Sequence, residues 1–103
     1  MTANVPIYAS AFTNPSSIRY KENVKDLDLE YAKQILKLRP VTYDYKNKEN
    51  GINCVGLIAE EVYDYISYPV IFSENVIEGL DYAKLVTPIL KILQDHEKRL
   101  SFL

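Results

Sequence analysis

Residues 81–103, DYAKLVTPILKILQDHEKRLSFL, form the longest stretch with helical periodicity, and the fold depends on what this helix packs against. If Val86 is position a of a heptad, the a and d positions are Val86, Ile89, Leu93, His96, Leu100 and Leu103. Polar residues such as Lys91, Gln94 and Lys98 fall elsewhere, as the seam of a coiled coil requires. The pattern is short for a coiled coil, so an amphipathic helix packed on its own domain explains it equally well.

Two residues of this helix have alternative interpretations. His96, at a d position, either forms a polar layer that sets the register between subunits or lies exposed at the helix edge. Pro88 is tolerated near the start of the helix if Thr87 is the cap, and it otherwise marks a kink.

The segment 28–46 predicts a helix followed by a strand. Apolar residues recur at helical spacing after Asp28, which is a suitable N-cap, and Pro40 ends the helix after Leu38 or Arg39. The next residues, VTYDYK, alternate between apolar and polar side chains, as in a half-buried strand.

The following segments complete an α+β fold with small antiparallel hairpins. The turn NKENG and the apolar run INCVGLI predict a β-hairpin over 41–58. AEEVYDYI (59–66) predicts a helix of about two turns, and YPVIF (68–72) and VIEGL (76–80) predict two short strands. Residues 1–15 contain two prolines and no charged side chain, which is typical of an extended arm.

Composition excludes several classes of function. Of 103 residues, 48% are hydrophobic and 25% charged, as in a globular domain, and a net charge of −2 without a basic stripe argues against nucleic-acid binding. One histidine and one cysteine, Cys54, provide neither a metal-ligand cluster nor a disulfide framework, and we expect no cofactor. No apolar stretch approaches the roughly 20 residues that span a membrane. Nine tyrosines suggest burial against another subunit.

Ser16 and Lys21 are the remaining candidates for catalysis. A lysine that activates a serine must be neutral, and an ordinary lysine is neutral in about one molecule in 2,500 at pH 7. Burial favours the neutral form, particularly burial completed by another subunit. A spacing of five residues directs the two side chains apart on a helix or a strand, so the dyad requires a bend between them. Without a bend, both residues belong to a solvated loop.

Four separated motifs resemble one family. The stretches PSSIRYKENV, LKLRPVTYDYK, VGLIAEEV and GLDYAKLVTPILKIL are similar, in that order, to the peptidase S74 or intramolecular chaperone domain. This domain closes many phage tail spikes, tail fibres and neck appendages. The resemblance covers residues 16–100. It implies a division of the chain into an N-terminal arm, residues 1–15, and a chaperone domain, residues 16–103, that ends in the helix predicted over 81–103.

The resemblance implies a homotrimer that helps an upstream fibre domain of the same polypeptide to fold and then cuts itself off. It implies a scissile bond between Pro15 and Ser16, with Ser16 as nucleophile, Lys21 as base and Arg19 in a supporting role. Ser17 is the competing nucleophile, but if it were the motif serine, Arg19 and Lys21 would no longer fall at their positions in the family motif. The expected location is the host cytoplasm during virion assembly, with no membrane or nucleic-acid partner.

The chain departs from the family pattern at two positions. Ser17 stands where Asp is common, which removes a carboxylate that could orient Arg19 or cap a turn. Glu60 stands where Gln or His is common, and a carboxylate near Lys21 would favour its charged form and weaken it as a base. Alternatively, Glu60 simply faces solvent. The second functional hypothesis is therefore a trimerisation module that does not cut and stays attached to its fibre.

Overall fold

The computed structural model describes residues 15–102. The arm predicted over residues 1–15 therefore lies outside the described residues except for Pro15, and so does the seam position Leu103. Within the described range the fold is α+β, with two small antiparallel hairpins and a C-terminal helix, as the sequence predicts.

The first hairpin pairs β1 (Val41–Tyr43) with β2 (Cys54–Gly56) in antiparallel register. The connection contains a 3₁₀ turn over Lys48–Asn50. Gly51 follows it with a φ of 140°, a backbone conformation that residues other than glycine rarely adopt. The hairpin predicted over 41–58 is confirmed, with shorter strands than the sequence pattern indicates.

The second hairpin pairs β3 (Val70–Ser73) with β4 (Val76–Leu80). Glu74 and Asn75 connect the strands, and both have positive φ, as a two-residue type I′ turn requires. A bulge between Ile71 and Phe72 shifts the register and lets the hairpin twist.

The first helical segment begins where the sequence predicts, ends at Lys37 rather than after Leu38 or Arg39, and is only partly α-helical. Helix α1 covers Leu29–Ala32, and Asp28 caps it by accepting a hydrogen bond from the Tyr31 amide at 3.0 Å. The chain continues as a 3₁₀ helix over Lys33–Lys37 and becomes extended at Leu38, two residues before Pro40. Tightening of a final turn is common at helix ends.

Two further helices complete the structure. Helix α2 covers Ala59–Tyr63 and is shorter than the predicted two turns. The C-terminal segment begins as a 3₁₀ turn over Tyr82–Leu85 and continues as α3, Val86–Leu100. Thr87 is not the cap of α3, because it lies inside the helix and Leu85 occupies the N-cap position. Pro88 is tolerated because it lies in the first turn, where an amide would have no intrahelical partner. None of the described helices is long and apolar enough to cross a bilayer.

The core lies where α1 packs against α3 and α2 packs against the second hairpin. Its buried apolar members are Ala32, Val62, Ile66, Leu85 and Ile92, each at most 5% exposed. This set is small for a chain of this length, because many large apolar side chains remain at the surface.

Helix α3 presents two apolar faces with different surroundings. Ile92 is 5% exposed because its face packs on the domain, whereas its neighbour Leu93 is 63% exposed. The other seam residues Val86 and Leu100 are 62% and 61% exposed. One face of the helix therefore packs on its own domain, as the second interpretation predicts, and the heptad seam has no cover among the described residues. A coiled coil along that seam stays a prediction.

Candidate catalytic site

A single 3₁₀ turn forms the bend that a Ser16–Lys21 dyad requires. It covers Ile18–Tyr20, with hydrogen bonds from the Tyr20 amide to the Ser17 carbonyl and from the Lys21 amide to the Ile18 carbonyl, both at 3.0 Å. The chain leaves the turn in an extended conformation at Lys21. The reversal brings side chains five positions apart to the same side of the segment.

The Lys21 ammonium Nζ donates a hydrogen bond to Ser16 Oγ at 3.0 Å. A nucleophile and its base need heavy atoms within about 2.6–3.2 Å, and this pair meets that requirement. A neutral amine at the same position would accept the hydroxyl proton instead of donating one. The geometry is therefore compatible with a Ser-Lys dyad, and the protonation of the lysine decides whether it can act.

Ser17 has a different part in the same turn. Its Oγ accepts a hydrogen bond from the Arg19 amide at 3.3 Å and so caps the 3₁₀ helix. Serine and aspartate are both good caps, so Ser17 supplies the turn contact that an aspartate at this position could make. Since Lys21 contacts Ser16, the geometry favours Ser16 over Ser17 as the nucleophile.

Arg19 contacts its neighbour in sequence and makes no described contact with the dyad. Its guanidinium lies 4.6 Å from the centre of the Tyr20 ring, and Nη2 donates to the Tyr20 hydroxyl at 2.7 Å. Its role within one chain is thus local, holding Tyr20 against the turn.

Glu60 makes no described contact with Ser16 or Lys21. It is exposed in the first turn of α2 and does not line the cleft that contains Ser16 and Lys21. The adjacent Glu61 accepts two hydrogen bonds from Arg39, at 2.6 and 3.1 Å. This contact ties α2 to the end of the first helical segment, and it holds the pKa of the Glu61 carboxyl below its ordinary value.

The dyad segment is open to solvent. Every residue from Pro15 to Asp26 is exposed. Water around an ammonium favours its charged form, so a single chain does not provide the desolvation that a lysine base needs.

A cleft of about 750 Å³ adjoins the dyad. Besides Pro15, Ser16 and Lys21, it is lined by Leu27, Asp28, Tyr31, Tyr68, Asp81, Ala83, Lys84, Thr87 and Pro88. The sequence did not point to Tyr31, Tyr68 or Lys84 as residues of this cleft. They come from α1, from the segment just before β3 and from the 3₁₀ turn before α3, and no local motif links these segments. Burial, and secondarily the nearby Tyr68, raises the pKa of Tyr31.

No group of three or more potential metal ligands occurs among the described residues. Cys54 is a free, half-buried thiol on β2, within 3.8 Å of the Ile52 carbonyl oxygen. Neither feature adds to the chemistry of the dyad.

A comparison with known protein families also identifies the part of the chain that begins at Ser16. The model of the family Peptidase S74, described as chaperone of endosialidase, matches residues 16–76, more than half of the chain. The match begins at the serine that Lys21 contacts. No curated protein matches the chain.

Proposed function

The chain belongs to the peptidase S74 family of self-cleaving chaperones, and on this premise we propose that it releases itself by cutting the Pro15–Ser16 bond. The observation that carries the proposal is the 3.0 Å contact between Lys21 Nζ and Ser16 Oγ, at the first residue of the family match. The substrate is the chain itself, and each molecule reacts once.

The reaction balances with the residues of the turn and one water. Neutral Lys21 takes the Ser16 hydroxyl proton, and Oγ forms a bond to the carbonyl carbon of Pro15. The bond between that carbon and the Ser16 nitrogen breaks, and the lysine returns the proton to the departing amine. An ester joins Pro15 to Ser16 Oγ, and water hydrolyses it to the Pro15 carboxylate and the free hydroxyl.

Assembly into a homotrimer is the second part of the proposal. The exposed seam of α3, represented by Val86, Leu93 and Leu100, has the heptad spacing that a coiled coil buries. Close packing of neighbouring copies around the turn would remove water from Lys21 and favour its neutral form. Cutting would then follow assembly, so release of the chaperone would report a folded trimer.

The proposed biological context is the one that the family resemblance implies. The chaperone would trimerise in the host cytoplasm during virion assembly, align an upstream phage tail or appendage fibre of the same polypeptide, and then separate from it. This role needs no cofactor, membrane or nucleic acid.

Intact-mass measurement after expression tests the proposal. Wild-type protein is expected to yield a fragment that starts at Ser16, whereas Ser16→Ala and Lys21→Ala remain whole. Ser17→Ala is the matched control: it loses the cap and cuts more slowly, but it yields the same fragment. A wild-type trimer that stays intact would favour the attached, non-cutting module, and a cut in Ser16→Ala would refute Ser16 as the nucleophile.

A further inference from the structure

A cut at Pro15–Ser16 needs a group that stabilises negative charge as well as a nucleophile and a base. When Ser16 Oγ bonds to the Pro15 carbonyl carbon, the carbonyl oxygen becomes an oxyanion, and enzymes stabilise it with preorganised donors or cations. The amides of Arg19, Tyr20 and Lys21 already donate to oxygen atoms of the turn itself. The cleft beside the dyad supplies the other candidates.

The carboxylates of this cleft serve as helix caps. The charged residues that line it are Lys21, Asp28, Asp81 and Lys84. Asp28 accepts a hydrogen bond from the Tyr31 amide at 3.0 Å, and Asp81 accepts one from the Ala83 amide at 3.2 Å. Both carboxylates therefore face backbone donors at the start of a helical turn, where negative charge is favourable.

Lys84 brings a positive charge to the cleft that no described carboxylate neutralises. The ion pairs among residues 15–102 use other cations, namely Lys33, Arg39, Lys48 and Arg99. The Lys84 ammonium lies 4.6 Å from the centre of the Tyr68 ring, and its amide donates to the Asp81 carbonyl at 3.1 Å. The ring and the 3₁₀ turn thus hold this charge at the cleft wall.

We propose that Lys84 is a second catalytic lysine, whose ammonium stabilises the oxyanion on the Pro15 carbonyl oxygen while Lys21 acts as the base. The proposal rests on the proposed function, because it assigns a role in that reaction. Pro15, Ser16 and both lysines line the same cleft. Lys84 donates a hydrogen bond and keeps its proton, so the balance of the reaction is unchanged.

A cation suits this role better than the neutral donors of the cleft. The hydroxyl groups of Tyr31, Tyr68 and Thr87 also line it, but a hydrogen bond from an ionised donor is about twice as strong as one from a neutral donor. Lys84 is exposed in the single chain, where water weakens its field. The association that would cover Lys21 would also strengthen the action of Lys84 on the oxyanion.

Cutting rates of full-chain variants, followed by intact mass in the trimer fraction, test the proposal. Lys84→Met removes the charge and keeps the length of the side chain, and it should slow the cut by about 100-fold, as loss of one oxyanion donor does. Lys84→Arg keeps the charge and should recover most of that loss. Equal rates for Lys84→Met and wild type would overturn the proposal.

A second lysine on a tyrosine ring provides the matched control. Lys37 lies 5.9 Å from the centre of the Tyr65 ring, and neither residue lines the cleft. Lys37→Met loses a charge and a ring contact of the same kind, and it should cut at the wild-type rate. A larger loss in Tyr68→Phe or Thr87→Val than in Lys84→Met would assign the oxyanion to a neutral donor and overturn the proposal.

The pH profile separates stabilisation of the oxyanion from an effect on the base. Loss of an oxyanion cation should lower the rate by the same factor at every pH between 6 and 9. If Lys84 instead acts by repelling the Lys21 ammonium, Lys84→Met should move the midpoint of the profile to higher pH and leave the maximal rate unchanged. That result would overturn the proposal.

Labelling of Ser16 by a fluorophosphonate decides the question if the wild type does not cut. Attack of a serine oxygen on this probe also builds negative charge on an oxygen atom of the reacting centre. Labelling mapped to Ser16 should be slower in Lys84→Met and unchanged in Lys37→Met. This result in a protein that never cuts would uphold the role of Lys84 and refute the proposed cut. Labelling at equal rates would overturn the role of Lys84, and absence of both labelling and cutting would refute the reaction and this proposal together.

Discussion

The turn that carries Ser16 and Lys21 and the packed helices obtain their structure by different means. Residues 16–21 are placed by hydrogen bonds within six positions of the chain, and they bury nothing. Ala32, Val62 and Ile92, in contrast, are buried by contacts between segments far apart in sequence. Positioning of the dyad is therefore local, whereas desolvation has to come from outside the turn.

The same contrast recurs on α3 between neighbouring residues. Ile92 packs on its own domain, and Leu93 faces solvent. The heptad seam of α3 and the Ser16–Lys21 pair are both exposed to solvent among the described residues. Association of several copies of the chain would bury both. The following predictions test that common explanation.

The largest effect is expected from a charge in the seam. Leu93→Glu should leave each chain folded, since Leu93 is 63% exposed, but it should prevent trimer formation. Cutting should then fall by about 100-fold or more, because the neutral fraction of a lysine falls about tenfold for each pKa unit that burial no longer provides. Light scattering and intact mass over time measure the two effects.

Gln94→Glu is the control for the seam variant, because it adds the same charge one position away, outside the a and d set. It should trimerise and cut normally. If Leu93→Glu stays monomeric and cuts at the wild-type rate, then the dyad does not depend on assembly.

The two faces of α3 should also differ in their effect on stability. Ile92→Ala removes a side chain that is 5% exposed and should lower the free energy of unfolding by about 2–5 kcal/mol at any protein concentration. Leu93→Ala should have an effect that grows with protein concentration, since only association buries that residue. Urea unfolding at two concentrations distinguishes the two; equal, concentration-independent losses would contradict the assignment of the faces.

The features that the sequence predicts are those set by local residue patterns, and the features that it does not predict depend on contacts between distant segments. The hairpins, the Asp28 cap and α3 are encoded by local patterns, and the structure confirms them. The partition of α3 into a packed and an exposed face was not predictable, because heptad spacing does not state which surface the helix meets. The bend between Ser16 and Lys21 could be named from the sequence only as a requirement of the dyad, since Ser-Ser-Ile-Arg-Tyr does not by itself specify a 3₁₀ turn. The cleft depends on three distant segments, and no local motif predicts such a meeting.

The smallest effect is expected at a surface ion pair away from both regions. Arg39 lowers the pKa of Glu61 below its ordinary value of 4.5, mainly through their hydrogen bonds. The stabilisation is fully present above pH 4.5 and is lost as the pH falls through the lowered pKa of the folded state. It is small, because water reaches both side chains: Arg39 is 67% exposed and Glu61 is 40% exposed.

Glu61→Gln should therefore be less stable than wild type near pH 7 and equal to it at strongly acidic pH. Urea unfolding between pH 2.5 and 7 measures this difference, and Glu60→Gln is the matched loss of a carboxylate from α2 that does not involve Arg39. A difference that widens as the pH falls has the wrong sign for this ion pair.

The most direct test of the central claim is the intact mass of wild-type protein in each oligomeric fraction. The protein is refolded at several concentrations and separated by size, and every fraction is then followed over time. We expect the fragment that starts at Ser16 to form in the trimer fraction while the monomer fraction stays whole. A monomer that cuts as fast as the trimer would contradict the claim that assembly completes the Ser16–Lys21 site, and a trimer that never cuts would contradict the reaction itself.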